Sequence, residues 1–376
     1  MGRIAGIAAA AVTALVGAGA TAGAASAAPL PATIAVTSKP IVSLAAAGGV
    51  VAYRSHFTDG FGGVCNSVHM LSLGGGGESV PKRCSAGGSN DHGRGLALGP
   101  HALYYDSIEV EPENATHDGA EAVLWRVGGG APVKLADENY EITCSGSGIG
   151  PFAYAAGVVF TRTVMTEVDP AMECQLGSGG GPGVSSMTAA TMQYVPSGST
   201  VATPLAGAPG AARIAARWPI LAIVPLRLPQ PMGNHVAPPT QGTDAIELWN
   251  LRTRAHRCTA NLAGLPAAVA ANGAQVGAIV RTPHGTSLAR LSTANCVHTS
   301  VRILAGRVQP ELAMGRHVVA WVSGRSVLAL DLRTHRVSRL YRGALVPHGL
   351  SLSNGQLVWW ITGRAGGSRV LRLALP

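Results

Sequence analysis

Lysine occurs three times in 376 residues, at Lys39, Lys82 and Lys134, against 25 arginines, and charged types together make up 12 % of the chain. With 47 % hydrophobic residues, that scarcity excludes a chain held open by charge repulsion. Long-chain helix formers are few, while Gly reaches 50 residues, about twice the usual share. A small, turn-rich, β-prone composition points to an all-β fold. No Lys follows a Gly, which excludes a P-loop, and no His precedes a Glu, which excludes the H-E-x-x-H metal helix. No G-x-S-x-G elbow occurs. No two cysteines stand at C-x-x-C spacing, so a zinc ribbon or a thioredoxin-like redox site has little support.

What is present begins with an export signal. Met1, Gly2 and Arg3 precede an uncharged Ala/Gly/Val/Ile/Leu stretch and then Ala25-Ser26-Ala27. One positive charge, an apolar run and small-x-small describe a secretory signal peptide over 1–27, and the run is short of the roughly 20 residues of a membrane span. No later segment approaches a span. A secreted or periplasmic protein is expected, with one domain over 32–376. Its six cysteines form an even set, so disulfides are the default in an oxidising compartment. Pairing in chain order (Cys65 with Cys84, Cys144 with Cys174, Cys258 with Cys296) keeps each bond within one repeat or two adjacent ones.

Seven short apolar, β-prone runs follow a turn residue, centred on Val51, Leu103, Val159, Leu221, Gly277, Val319 and Val358 and spaced 39 to 62 residues apart. Most are followed by an alternating segment that ends in a turn, which is how a half-buried strand reads. Asn250-Leu251-Arg252-Thr253 and Asp331-Leu332-Arg333-Thr334 are near copies at the same place in two units. Seven sheet-forming units without helical periodicity describe a radial array. The chain resembles a seven-bladed β-propeller, with six blades as the variant, in a loosely WD40-like repeat architecture without the Gly-His and Trp-Asp signature. The Asp331-Leu332-Arg333-Thr334 turn is similar to those of extracytoplasmic TolB-like propellers. The last unit supplies only three strands, and Ala32 to Ser38 is an orphan strand. Pairing it with the last unit would remove an open sheet edge.

With strands lettered a to d outward from the axis, the runs are strand b. Four units carry surplus length between b and c: Phe57 to Ser67, Asp106 to Glu121, Met165 to Ala189 and Leu228 to Thr243. All four emerge on one rim, where long loops on a rigid scaffold make a binding face. The competing reading is tolerated low-complexity insertion. Charge is uneven: residues 1–200 hold 9 Lys/Arg and 15 Asp/Glu, and residues 201–376 hold 19 and 4. The candidate binding residues are Asp91, His92, Asp106, Glu109, Glu111, Glu113, His117 and Asp118, a local cluster of carboxylates and imidazoles. No cofactor is expected: Ca²⁺ would find enough carboxylates here, but the D-x-[DN]-x-[DN]-G spacing is absent. Solvated loop charge, and an Asx-turn role for Asn90 and Asp91, are the structural alternatives.

These features make a non-enzymatic binding scaffold the first expectation. Its partner would be a macromolecule or glycan, such as an anionic cell-envelope polymer, with no nucleic acid and no oligomer. The alternative is a propeller hydrolase or lyase acting on carbohydrate or a small ester, with carboxylates and His at the channel mouth.

Overall fold

A computed structural model describes residues 30–375 apart from 59–62, 75–76, 83–89, 92, 111–119, 129, 141–145, 168–184 and 228–241. Strand β1 (Ala32–Thr37) precedes blade 1, which is β2 (Ile41–Ala47), β3 (Val50–Thr58), β4 (Val64–Ser72) and β5 (Ser79–Lys82). Blade 2 has its inner strand in two pieces, β6 (Asn90–Asp91) and β7 (Leu96–Leu98), both paired with β8 (Leu103–Val110), then β9 (Ala120–Val127) and β10 (Val133–Tyr140). Blade 3 is β11 (Gly146–Tyr154), β12 (Gly157–Glu167), β13 (Ser185–Pro196) and β14 (Thr203–Pro209). Blade 4 is β15 (Ala211–Arg217), β16 (Ile220–Pro225), β17 (Ala245–Asn250) and β18 (Ala255–Asn261). Blade 5 is β19 (Leu265–Ala271), β20 (Gln275–Thr282), β21 (Gly285–Ser292) and β22 (His298–Leu304). Blade 6 is β23 (Val308–Met314), β24 (Val318–Ser323), β25 (Ser326–Asp331) and β26 (Val337–Arg342), and blade 7 is β27 (Pro347–Ser353), β28 (Gln356–Thr362) and β29 (Ser368–Ala374). All pairings are antiparallel, and the architecture is a seven-bladed β-propeller. Among the described residues no helix is long and apolar enough to cross a membrane.

The ring closes as the orphan strand requires. β1 pairs with β29, Thr33 opposite Leu371 and Val36 opposite Arg369, making a fourth strand for blade 7. Ser368 Oγ then accepts the Ile41 amide at 3.0 Å, tying this closure to blade 1. The inner strands β2, β7, β11, β15, β19, β23 and β27 each pack on the next around the axis, and β27 packs back on β2.

Each second strand is a nearly continuous apolar run because both of its faces are covered. In β16, Leu221 and Ile223 face blade 3 while Ala222 and Val224 face blade 5. One buried apolar cluster fills each of the seven blade-to-blade interfaces, including Val358, Trp360 and Val370 of blade 7 against Val51, Tyr53 and Leu71 of blade 1. Stability therefore resides between neighbours rather than in a central core. Trp125 and Trp249 sit on the third strands of blades 2 and 4 and pack in two of these interfaces.

Three expectations are corrected. The hairpins run further than hydrophobicity alone indicates. β12 pairs with β13 from Gly157 opposite Pro196 out to Glu167 opposite Ser185, because ladder hydrogen bonds continue past the apolar part. By the same extension Asp106 lies inside β8 and Cys65 inside β4, not in loops. Cys258 and Cys296 are disulfide-bonded with Cα atoms 5.9 Å apart. The sequence spacing sets both cysteines on the outer strands of neighbouring units; Cys296, however, occupies the turn between β21 and β22, and it joins that turn to β18 of the neighbouring blade. Cys65 is also disulfide-bonded; Cys84, Cys144 and Cys174, like the signal peptide over 1–27, lie outside the described residues.

The two rims differ in kind. Connections from second to third strands and from one blade to the next leave one rim. The turns joining first to second and third to fourth strands form the other, the tight-turn rim.

Candidate functional site

Asp91 and Asp106 meet on the long-connection rim, at the junction of blades 1 and 2. Both are buried, and they share the guanidinium of Arg54, which is 0 % exposed. Arg54 Nη1 donates to Asp106 Oδ1 at 2.6 Å and to the Gly95 carbonyl at 3.2 Å, and Nη2 donates to Asp91 Oδ2 at 3.0 Å. Lys82 Nζ makes a second contact to Asp91 Oδ2. The amides of Gly93 and Ile108 donate to Asp91 Oδ1, each at 2.9 Å, and the Gly95 amide donates to Asp106 Oδ1 at 2.9 Å. A Cβ at Gly93 would lie 2.7 Å from both Arg54 Nη2 and the Asp106 carbonyl oxygen, so only glycine lets the backbone cross here.

Burial works to raise the Asp91 carboxyl, but Arg54, Lys82 and the Ile108 amide outweigh it and hold it below the usual value. Burial wins at Asp106, whose carboxyl is pushed up against the pull of Arg54. Two cations facing two carboxylates, with backbone amides using the remaining acceptor positions, make a tie between blades where the inner strand of blade 2 is broken. Of the other candidates, Glu109 lies on β8 opposite Asp91. His92, Glu111, Glu113, His117 and Asp118 lie outside the described residues.

A second pair, not anticipated, stands on the same rim at the axial ends of blades 6 and 7. The inner strands β23 and β27 both bulge here, between Val308 and Leu312 and between His348 and Ser351. Glu311 Oε2 accepts the Gly349 amide at 2.9 Å, and Oε1 lies 3.9 Å from His348 Nδ1. Burial pushes the Glu311 carboxyl up despite the Gly349 and Leu350 amides, and burial pushes the His348 imidazole down. A carboxyl inclined to hold its proton beside an imidazole inclined to stay neutral has the composition of a proton-transfer pair. Neither residue has acidic or imidazole neighbours in sequence, which is why local clustering misses them. Apart from Asp91 in the short β6 piece, the seven inner strands contribute one carboxylate, Glu311, and one imidazole, His348, and otherwise consist largely of Ala, Gly, Leu, Val, Pro and Ser.

Within blade 1, Ser55 Oγ lies 3.3 Å from His69 Nε2, and His69 Nδ1 lies 2.9 Å from Glu78 Oε1. That order of groups is the one hydrolases use. Ser55, however, is 2 % exposed, so substrate has no access to it. Glu78 Oε1 also takes the Tyr53 hydroxyl at 2.5 Å, and Tyr53 stacks on His69 with ring centres 4.6 Å apart. The chain of bonds holds the outer part of blade 1 together. Among the described residues no three His, Cys, Asp or Glu side chains cluster to hold a metal.

No protein-family model matches the chain, and no curated protein matches its sequence. Solved propellers resemble it in fold. The β-propeller domain of the Trilobed protease from Pyrococcus furiosus superimposes with a TM-score of 0.52 at 8 % identity, over 86 % of this chain and 91 % of that one. That propeller is described as having an open velcro topology, whereas here β1 closes the last blade. The protein lmo1340 from Listeria monocytogenes EGD-e gives 0.51 at 6 % identity over 92 % and 98 % of the two chains. Puromycin hydrolase gives 0.53 at 12 % identity over 89 % of this chain but 52 % of its own length. These likenesses are of fold.

Proposed function

We propose that the protein is an extracytoplasmic binding scaffold that engages a macromolecule or glycan through its long-connection rim. The observation that carries this reading is that the long connections of blades 2 to 4, from Val110 to Ala120, Glu167 to Ser185 and Pro225 to Ala245, all leave that rim. The disulfide between Cys258 and Cys296 is compatible with an oxidising compartment. The carboxylates Asp91 and Asp106 support such a face indirectly, by holding blades 1 and 2 in a fixed relation beneath it. A test replaces the connection between Glu167 and Ser185 by a four-residue turn. The purified disulfide-bonded protein and this variant are then screened against cell-envelope polymers and divalent metals for a shift in melting temperature. A shift seen in the parent and lost in an equally stable variant supports the reading; an identical shift in both refutes it.

The second reading, hydrolysis or elimination at the channel mouth, rests on Glu311 and His348 alone. It requires that Glu311→Gln and His348→Ala abolish turnover of a carbohydrate or ester while leaving the melting temperature in place. Retained turnover in both variants excludes it.

A further inference from the structure

The tight-turn rim of blades 4 to 6 carries a feature of a different kind. Arg217 ends β15 and Trp218 begins the turn to β16, and Trp218 is 40 % exposed, the one aromatic among the exposed large hydrophobic residues of the described chain. The turn between β17 and β18 lies against it, since the Leu251 amide donates to the Pro219 carbonyl at 2.8 Å. In that turn Asn250 Oδ1 accepts the amides of Arg252 at 2.9 Å and Thr253 at 3.3 Å. The carboxamide is thus spent on the backbone, and Arg252 and Arg254 are left exposed.

The same turn recurs in blade 6. Asp331 Oδ1 accepts the amides of Arg333 at 2.7 Å and Thr334 at 2.9 Å, and Leu332 donates to the His317 carbonyl at 2.8 Å. That contact sets Arg333 beside Arg316, both exposed. Desolvation first, and then Arg333 and Arg316, push the His317 imidazole down, so the two guanidinium groups act on one spot.

Blade 5 bridges the two groups. The Arg217 stem passes 3.7 Å from where a Cβ on Gly273 would stand, and Asn272 Nδ2 donates to the Gly315 carbonyl at 2.9 Å. Five arginines therefore stand on an arc of turns stitched blade to blade. Asp331 is the one carboxylate on this rim of blades 4 to 6, and it is occupied by its own turn. None of the five arginines makes an ion pair with a carboxylate among the described residues.

We infer that this arc is a binding site for an anionic polysaccharide, with the Trp218 ring stacked on a sugar face and Arg217, Arg252, Arg254, Arg316 and Arg333 on its carboxylate or phosphate groups. An exposed indole among unpaired guanidinium groups combines an apolar platform with charge recognition. The choice of a glycan over other polyanions rests on the extracytoplasmic location proposed above, with which the disulfide is compatible. The site lies on the rim opposite the long connections and stands independently of the function proposed for them.

The test titrates the purified disulfide-bonded protein with an oligogalacturonate of defined length. A neutral oligosaccharide of equal length and a single-stranded DNA of equal charge serve as comparisons. The oligogalacturonate should bind, and binding should weaken about tenfold or more in the variant R252Q/R254Q. R316Q/R333Q should lower the slope of log Kd against log salt. Trp218→Leu should lose affinity and Trp218→Phe keep it, each judged only at an unchanged melting temperature. R339Q/R342Q removes the same charge from β26 and should leave Kd within about twofold. Equal weakening by R339Q/R342Q would reduce the site to diffuse net charge and overturn the proposal. DNA binding as tight as the glycan, or no effect of Trp218→Leu, would also overturn it. The variant with the shortened 167–185 connection should bind oligogalacturonate normally, so failure of the long-connection reading remains distinguishable from failure of this one.

Discussion

Arg54 and Asp106, 52 residues apart in the chain, meet through Nη1 and Oδ1 at 2.6 Å with Arg54 fully buried. Removing one partner leaves a buried charge short of its counter-ion. Asp106→Ala should therefore lower unfolding stability by about 3–5 kcal/mol in urea titration. Asp106→Asn, which keeps an acceptor for the Gly95 amide, should cost less. A loss below about 1 kcal/mol for Asp106→Ala would mean that the tie between the blades is weak.

Asp91 and Glu311 predict opposite pH slopes. Asp91 is held below its usual value of 3.8. Its contribution is complete above 3.8 and drains away as pH falls through the lowered native value. Glu311 is raised above 4.5, so its ionisation makes stability fall as pH rises from 4.5 through the raised native value. Asp91→Asn should flatten the acid limb of unfolding free energy against pH, and Glu311→Gln the limb above 4.5. Unchanged slopes in either variant would contradict the assignment.

Gly349 (φ +62°) and Gly355 (φ +72°) both use the left-handed region, but only Gly349 lies under a ring. A Cβ there would run into Trp360, whereas one at Gly355 meets open space. Gly355→Ala should cost about 1–2 kcal/mol, the backbone penalty alone. Gly349→Ala should cost clearly more and disturb Trp360 fluorescence. Equal costs would show that the ring yields freely.

The bond between Cys258 and Cys296 closes a separation of 38 residues. Chain entropy gives about 4 kcal/mol for a loop of that size. The double variant Cys258→Ala/Cys296→Ala should melt correspondingly lower by calorimetry, with its β-sheet circular dichroism unchanged. A melting temperature equal to the parent's would mean that the packing around Leu291 and Ala260 suffices to hold these blades together.

Much of the fold is readable from the residues. All seven second strands stand out because burial on both faces demands an unbroken apolar run, as in Ile220–Pro225. The orphan strand at Ala32 is recognisable from the missing fourth strand of the last unit. The turn shared by Asn250 and Asp331 shows itself because one side-chain oxygen must cap two amides in both places, and Arg254 (φ +53°) and His335 (φ +56°) take the same left-handed step after it. The sites are harder to read. Arg54 meets Asp91 across a blade boundary, and Glu311 meets His348 only because two inner strands bulge at the same height. Isolated charges brought together by tertiary packing leave no period and no motif. The breadth of hairpins such as that of β12 and β13 is hidden for a related reason, since backbone pairing proceeds under polar side chains.

The closure of blade 7 by β1 also bears on kinetics. Thr33 pairs with Leu371 and Ile41 bonds Ser368 across 327 positions, so β1 waits for its partner strand until β29 has been made. Contacts of such separation form slowly and late. The last blade therefore completes its sheet only after the two ends of the ring have met, which makes blade 7 the expected final step of folding.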